Sequence, residues 1–185
     1  MCAILANGGA KDVNFNVKFD TSDRMVLPPL FKEIIEATKP FTLDACANDN
    51  GDNSLCKEFC SPSKSFLLSD CTNHHVWMNP PFNYKVAGEM IKHYLKCKAL
   101  APTTTSMCLM LPKYSINNMK RLLKDFVVLK RYPKYTPVVS VPDGKGGRTI
   151  LKPCLHFDMV VYYDPPQEQL PTISNVKDKQ DDKLI

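Results

Sequence analysis

Four consecutive residues, Asn79-Pro80-Pro81-Phe82, have the types and the order needed to hold a planar amino group. The lone pair of such a nitrogen is delocalised into its ring, and two acceptors aimed at its hydrogens can localise it. The side-chain oxygen of Asn79 and the backbone carbonyl of Pro80 can supply them, since proline holds φ near about −65°. Phe82 can stack on the ring, a contact worth about 1–3 kcal/mol per base. The motif therefore predicts methyl transfer to an exocyclic amine.

The motif needs a rigid element before it, and the apolar run Val76-Trp77-Met78 predicts a strand that the prolines end. Hydrophobic spacing predicts helices over 30–37, from just after the motif to about 100, and over 115–125. Further strands are predicted over 41–47, 66–70, 107–111, 127–129 and 158–163. This alternation predicts an α/β fold with a mostly parallel sheet covered by helices on both faces.

The chain of 185 residues has the length of one domain. We expect an N-terminal arm over 1–23, the domain itself over 24–164 and a mobile C-terminal tail over 165–185. No stretch approaches the roughly 20 apolar residues that cross a bilayer, and the first residues lack the pattern of a signal peptide. An intracellular protein, with its eight cysteines mostly reduced, is therefore expected.

Positive charge is concentrated between residues 113 and 135, where seven basic side chains face Asp125 alone and tyrosines are interleaved. This combination predicts contacts with nucleic acid, although a solvated helix face with a loop is the alternative. A second basic segment, 143–148, is a turn that either contacts phosphate or is a loop tip. The predicted nucleic-acid-binding residues are Lys113, Lys120, Arg121, Lys124, Lys130, Arg131, Lys134 and Arg148.

Several motifs together resemble one family. Residues 41–47 (Phe-Thr-Leu-Asp-Ala-Cys-Ala), Asn53 and Cys56, residues 68–70 and residues 76–83 are similar to the phage-type N6-adenine DNA methyltransferases (Dam-like), relatives of which occur in mobile genetic elements. The similarity is good over about 24–85 and looser beyond. It implies a Rossmann-like class I methyltransferase fold, S-adenosylmethionine as the methyl donor, and DNA as the partner. The target adenine would be flipped out or single-stranded.

The same resemblance implies roles for individual residues. Asp44, Ala45 and Cys46 would line the donor pocket, with Asp70 near the adenosine of the donor. Asn79, Pro80, Pro81 and Phe82 would hold the adenine, and Asn79 would also border the donor.

Two alternatives stay open. The family usually shows Thr-Pro before its first helix, whereas this chain has Val26-Leu27-Pro28-Pro29. That departure favours a catalytically decayed nucleic-acid-binding module with the same fold. RNA guanine-N2 and protein glutamine-N5 methyltransferases also use Asn-Pro-Pro-aromatic, but they carry a glycine-rich donor loop that is missing after Asp44.

A zinc site is a further hypothesis, because Cys56-x3-Cys60 and Cys71-x2-His74, with His75 adjacent, offer enough ligands. The family pattern accounts for Cys56, and Cys71 lies close to the motif strand. No metal is therefore predicted.

Overall fold

A computed structural model describes residues 23–168, in which the helices lie in the first two thirds and the last four strands follow one another without a helix between them. The helices are α1 (Pro28–Ala37), α2 (Tyr84–Leu100) and the short α3 (Lys113–Ile116). The strands are β1 (Met25–Val26), β2 (Leu43–Asp44), β3 (Glu58–Phe59), β4 (His75–Met78), β5 (Ser106–Pro112), β6 (Val127–Tyr132), β7 (Val139–Pro142), β8 (Arg148–Ile150) and β9 (Met159–Asp164).

The strands form two sheets. The main sheet has six strands in the order β3-β2-β4-β5-β9-β6, and the smaller sheet has the order β1-β7-β8. Strands β2 to β5 are parallel where they pair, while β9 runs antiparallel to both β5 and β6. The predicted α/β class is confirmed, with a mixed main sheet. Its parallel part contains the strand that leads into the Asn-Pro-Pro-Phe motif.

Each face of the main sheet has its own hydrophobic core, because successive strand residues point to opposite sides. On one face Val76 and Met78 pack with Ile91 and Tyr94 of α2. On the other face Trp77 packs with α1. Strand β5 is buried along its whole length, which explains its uninterrupted apolar sequence.

The two long helices begin where the sequence supplies suitable residues. Pro28 and Pro29 occupy the first turn of α1, where a missing N–H costs nothing. Asn83 caps α2, and its side-chain oxygen accepts a hydrogen bond from the backbone N–H of Lys85 at 3.0 Å. The cap follows the Asn-Pro-Pro-Phe motif directly and fixes the point at which the chain leaves it.

Two predicted elements were wrong. Residues 66–70 do not form a strand; Phe66–Leu68 is a 3-10 turn in which the Ser69 hydroxyl donates to the Ser65 carbonyl at 3.1 Å. The helix predicted over 115–125 ends at Ile116 and is followed by another 3-10 turn, Asn117–Met119. Asparagine competes for backbone hydrogen bonds and disfavours a continuing helix.

Three further expectations concern the ends of the chain, membrane-spanning helices and disulfides. The predicted arm and tail fall almost wholly outside residues 23–168. Within those residues no helix has the length and apolarity needed to span a bilayer. None of the described cysteines forms a disulfide.

A buried ion pair fastens the end of α2 to β9. The Lys98 ammonium lies 2.6 Å from Oδ1 of Asp164, and both side chains are 8% exposed. The Tyr94 hydroxyl donates to the other carboxylate oxygen of Asp164 at 2.8 Å, and Lys98 also donates to the carbonyl of Pro165. Burial of these charges is tolerated because both partners are fully engaged.

Replacing Lys98 with methionine should therefore lower the free energy of unfolding by about 3–5 kcal/mol, because it leaves the Asp164 carboxylate buried without its cation. The matched control is Lys92→Met, which removes an exposed pair with Glu89 and should cost less than about 1 kcal/mol. Urea unfolding followed by circular dichroism measures both. Equal, small losses in the two variants would contradict this account of the ion pair.

Candidate active site

The chain reverses its direction across the main sheet beside β2. From β2 it goes first to β3 on one side, and then returns past β2 to β4 on the other. In open α/β sheets a crevice for ligands forms at the carboxyl ends of the strands where such a reversal occurs. Asp44 ends β2 and Asn79 directly follows β4. The two segments are held together by the Ala45 N–H, which donates to the Trp77 carbonyl at 2.8 Å.

Asn79 presents an unused acceptor at this edge. Its side-chain nitrogen donates to the backbone carbonyl of Arg24 at 3.2 Å. Because a carbonyl can only accept, this bond fixes which end of the amide is which. The Oδ1 atom is buried and has no hydrogen-bond partner among residues 23–168. A buried polar atom without a partner is costly, and it is a common property of a binding site.

Asp44 is a second costly group at the same edge. Its side chain is almost fully buried, and Oδ1 accepts from the backbone N–H of Cys46 at 2.9 Å. Burial raises the pKa of Asp44 to about 6, although the hydrogen bonds from Cys46 and Ser54 oppose the rise. Ala45 is buried and Cys46 is partly buried beside it. Above about pH 6 the end of β2 therefore carries a negative charge. Within the described part of the chain, none of the interactions that shift the pKa of Asp44 comes from a cation.

Three aromatic side chains, Phe82, Phe157 and Tyr114, form an aromatic group next to Asn79. The ring of Phe157 makes edge-to-face contacts with Phe82 at 5.8 Å and with Tyr114 at 5.0 Å between ring centroids. The Arg24 guanidinium lies over the ring of Phe82, 4.4 Å from its centroid. The positions of Arg24 and Phe157 were missed by sequence reasoning, since no local pattern connects either residue with residue 82.

Two surface hollows lie away from this edge. One of about 320 Å³ follows residues 117–122, and one of about 100 Å³ lies between α1 and β6. The second hollow is lined in part by Tyr132, whose buried hydroxyl has no hydrogen-bond partner among residues 23–168. Neither hollow lies at the β2–β4 edge, where the Arg24 guanidinium covers the ring of Phe82.

The loop after β2 is held by a polar network. Asp23 accepts hydrogen bonds from the side chains of Asn48 at 3.2 Å, Asn53 at 2.9 Å and Arg148 at 3.1 Å. Arg148 also donates to the carbonyl of Ser140, and its side chain is only 15% exposed. The guanidinium of Arg148 is therefore engaged inside the protein, and the prediction that it binds phosphate stays untested.

The seven basic residues of 113–135 are all exposed, but they do not form one surface. Lys113 pairs with Asp158 at 3.1 Å, and the backbone N–H of Lys134 donates to the same carboxylate at 3.0 Å. These contacts hold the pKa of Asp158 below its ordinary value. Since Asp158 follows Phe157 in the chain, these two lysines flank the aromatic group.

The remaining basic residues are dispersed. Lys130 pairs with Glu33 of α1 at 3.3 Å, and Arg131, its neighbour on the edge strand β6, points to the opposite side. Lys124 lies 3.8 Å from Asp125, and with Lys120 and Arg121 it lies on the irregular turn after α3. Of the predicted nucleic-acid-binding residues, only Lys113 and Lys134 flank the aromatic group.

Asp70 is placed differently from the other predicted donor-binding residues. It lies in the loop that enters β4, and its carboxylate accepts from the backbone N–H and the hydroxyl of Thr72 at 2.9 and 3.0 Å. The strand expected to end at Asp70 does not exist, so this residue does not belong to the carboxyl edge formed by Asp44 and Asn79.

The zinc ligands suggested by sequence spacing are not brought together. Cys56 packs in the core on the α1 face, whereas Cys60 and Cys71 lie in the core on the α2 face. His74 is hydrogen-bonded to the hydroxyl of Thr42, and His75 to that of Ser106.

Comparison with known protein families finds a match to part of the chain. The model of the DNA N-6-adenine-methyltransferase (Dam) family matches residues 17–116, more than half of the chain. The chain therefore belongs to the DNA N-6-adenine-methyltransferase family. Among curated proteins, no significant match to the chain was found. The matched range contains β2, β4, α2 and the Asn-Pro-Pro-Phe motif between them.

The raised pKa of Asp44 has a measurable effect on stability. Because the pKa rises from 3.8 to about 6 on folding, ionisation of Asp44 opposes the folded state. The contribution of the protonated Asp44 carboxyl to the stability of the folded protein is complete below about pH 4 and is lost as the pH rises through about 6. At about 1.4 kcal/mol per pKa unit, Asp44→Asn should raise the free energy of unfolding by about 1–3 kcal/mol at about pH 7.5 and by almost nothing at about pH 4.

Urea unfolding at the two pH values tests this, with Asp125→Asn as the control because its side chain is 78% exposed. The control should change stability by less than about 0.5 kcal/mol at either pH. Destabilisation by Asp44→Asn at the higher pH would show that the ionised carboxylate is satisfied in the folded protein.

Proposed function

We propose that the protein transfers a methyl group from S-adenosylmethionine to the N6 amine of adenine in DNA, on a Rossmann-like class I methyltransferase fold. The observation that carries the proposal is the buried Oδ1 of Asn79, which has no hydrogen-bond partner among residues 23–168 and lies, like Asp44, at the strand-order reversal. Membership of the adenine-methyltransferase family supports the class of acceptor.

The residues at the end of β2 fit the methyl donor. S-adenosylmethionine, when bound, supplies an electrophilic methyl group on a positively charged sulfur, and its amino-acid part carries a further ammonium. The buried carboxyl of Asp44 can offer the compensating negative charge, and Ala45 and Cys46 continue the same edge. Asp70 is left out of this donor site because it lies in the loop entering β4.

Asn79 and Pro80 would activate the acceptor. Oδ1 of Asn79 and the carbonyl of Pro80 accept hydrogen bonds from the two hydrogens of the adenine amine, which localises its lone pair. The Arg24 carbonyl already holds the amide of Asn79 in place, so the acceptor needs no reorganisation during the reaction. Pro81 keeps the turn rigid, and Phe82 stacks on the base once the Arg24 guanidinium has moved from its ring.

The surroundings of Phe82 suit a base taken out of the DNA stack. Tyr114 is 52% exposed and belongs to the aromatic group that continues from Phe82 through Phe157. Lys113 and Lys134 flank it with positive charge for the phosphate backbone. Extrusion of a base costs a few kcal/mol, which stacking on these rings and phosphate contacts can offset.

Asn79→Ala removes the side-chain acceptor and should lower the rate of methyl transfer to adenine at least about 100-fold, the usual effect of losing one preorganised polar group. Binding of S-adenosylmethionine, measured by calorimetry, should change far less. The matched control is Asn118→Ala on the exposed turn after α3, which should keep the rate.

Transfer of labelled methyl groups to adenine-containing DNA, to RNA and to protein, measured in parallel, separates the proposal from its alternatives. Label found in RNA guanine or in protein glutamine would show that RNA or protein, and not adenine in DNA, is the substrate. A folded protein that neither binds S-adenosylmethionine nor transfers its labelled methyl group would be a decayed nucleic-acid-binding module. Undiminished turnover in Asn79→Ala would contradict the role of Asn79 as an acceptor for the adenine amine.

Donor affinity should depend on the ionisation of Asp44. In the ligand-free protein this carboxyl has a pKa of about 6, so lowering the pH removes the charge that the cationic donor requires. The dissociation constant for S-adenosylmethionine should rise about tenfold between about pH 7 and about pH 5. Asp44→Asn should bind weakly at both pH values, with no such change. A wild-type affinity that is flat over this range would place the donor away from Asp44.

A further inference from the structure

Three side chains with metal-binding atoms converge on the α2 face of the main sheet, outside the candidate active site. Cys71 comes from the loop before β4, while His93 and Cys97 lie one turn apart on α2. The two sulfurs and a ring nitrogen of His93 all lie within 4.8 Å of one another. Residues four apart share one face of a helix, which is why α2 presents both ligands toward Cys71.

The distances are close to those of a tetrahedral metal centre. Zinc binds sulfur at about 2.3 Å and imidazole nitrogen at about 2.0–2.1 Å, which places two ligand sulfurs about 3.8 Å apart and a sulfur and a nitrogen about 3.6 Å apart. Sγ of Cys97 lies 3.7 Å from Nε2 of His93. The most widely separated ligand atoms would need to approach by about 1 Å. Small side-chain rotations can provide this.

A further cysteine lies in the same core. Cys60 is buried on the α2 face, as Cys71 and Cys97 are. Its sulfur does not belong to the group of described ligand atoms that lie within 4.8 Å of one another. The Cys60 thiol donates to the hydroxyl of Ser69 at 3.4 Å.

Simple packing is the competing explanation, because buried thiols fill small spaces well. In addition, Nε2–H of His93 donates to the Ser69 carbonyl at 2.8 Å, so coordination through this nitrogen must exchange that hydrogen bond for a metal bond. Packing alone does not, however, require a ring nitrogen of His93 to lie within 4.8 Å of two thiol sulfurs. His93 is only partly buried, which gives an ion a path to the cluster.

We propose that Cys71, His93 and Cys97 bind one thiophilic divalent cation, with zinc the best fit. Two thiolate sulfurs and one imidazole suit zinc and disfavour the harder magnesium and calcium ions. The metal would tie the loop between β3 and β4 to α2, the helix that begins directly after the Asn-Pro-Pro-Phe motif.

The test uses the full chain kept reduced. Elemental analysis after purification without chelators should find one zinc per chain. After removal of zinc, cobalt titration should give one equivalent of tetrahedral cobalt, with visible d–d bands and sulfur-to-cobalt charge transfer, and zinc should displace it. Substoichiometric zinc together with a cobalt spectrum lacking charge transfer would overturn the proposal.

Variants assign the ligands. Cys71→Ser and His93→Gln should each weaken cobalt binding at least about 100-fold, since even loss of a supporting group costs about 10–100-fold. Cys56→Ser and His74→Gln, which belong to the set that spacing alone suggested, are the matched controls and should bind as the unchanged chain does. His93 is partly exposed, so His93→Gln carries the test where Cys71→Ser fails to fold. Wild-type affinity in His93→Gln would exclude the site.

None of these measurements depends on methyl transfer, so their outcome is independent of the proposed function.

Discussion

The reversal of strand order beside β2 is the constraint on which the rest of the structure depends. Because β3 and β4 lie on opposite sides of β2, the chain changes direction across the sheet at the carboxyl ends of β2 and β4. Asp44 and Asn79 stand at that edge. The burial of the two core faces, by α1 and by α2, fixes the strands and hence the separation of these two residues.

The edge is maintained at a cost to stability that the rest of the fold must offset. Asp44 has a buried carboxyl with a raised pKa, and Asn79 has an acceptor without a partner among residues 23–168. Such groups are typical of sites that bind charged or polar ligands. Away from this edge, the buried hydroxyl of Tyr132 and Nε2 of His75 also lack partners among the described residues. The Lys98–Asp164 pair that holds the end of α2, by contrast, is fully engaged. The proposed metal would hold the middle of the same helix.

Sequence patterns predicted the elements that are long and strongly apolar, and missed those defined by tertiary contacts. Strand β5 and helix α2 were correctly predicted because their hydrophobic patterns extend over many residues. Strand β3 has two residues and no pattern of its own, so Phe66–Leu68 was mistaken for the strand and Asp70 for its last residue. The carboxyl edge itself was predictable, since polar motifs directly follow apolar runs.

Contacts between distant segments were beyond sequence reasoning. The Arg24 carbonyl that orients Asn79 lies 55 residues away in the chain, and Arg148 is drawn inward by Asp23 over 125 residues. The same holds for the cysteine cluster: His93 and Cys97 show helical spacing, but only the packing of α2 brings Cys71 to them. Spacing alone combined Cys71 with Cys56 and His74, which lie elsewhere.

The central claim is that the protein methylates adenine at the site that contains Asp44 and Asn79. It is tested most directly by incubating the protein with isotope-labelled S-adenosylmethionine and unmethylated DNA, digesting the DNA to nucleosides and identifying the labelled product by mass spectrometry. The account predicts that the label is found in N6-methyladenine. Label found only in another base, or no label in DNA from a protein that binds the donor, would contradict it.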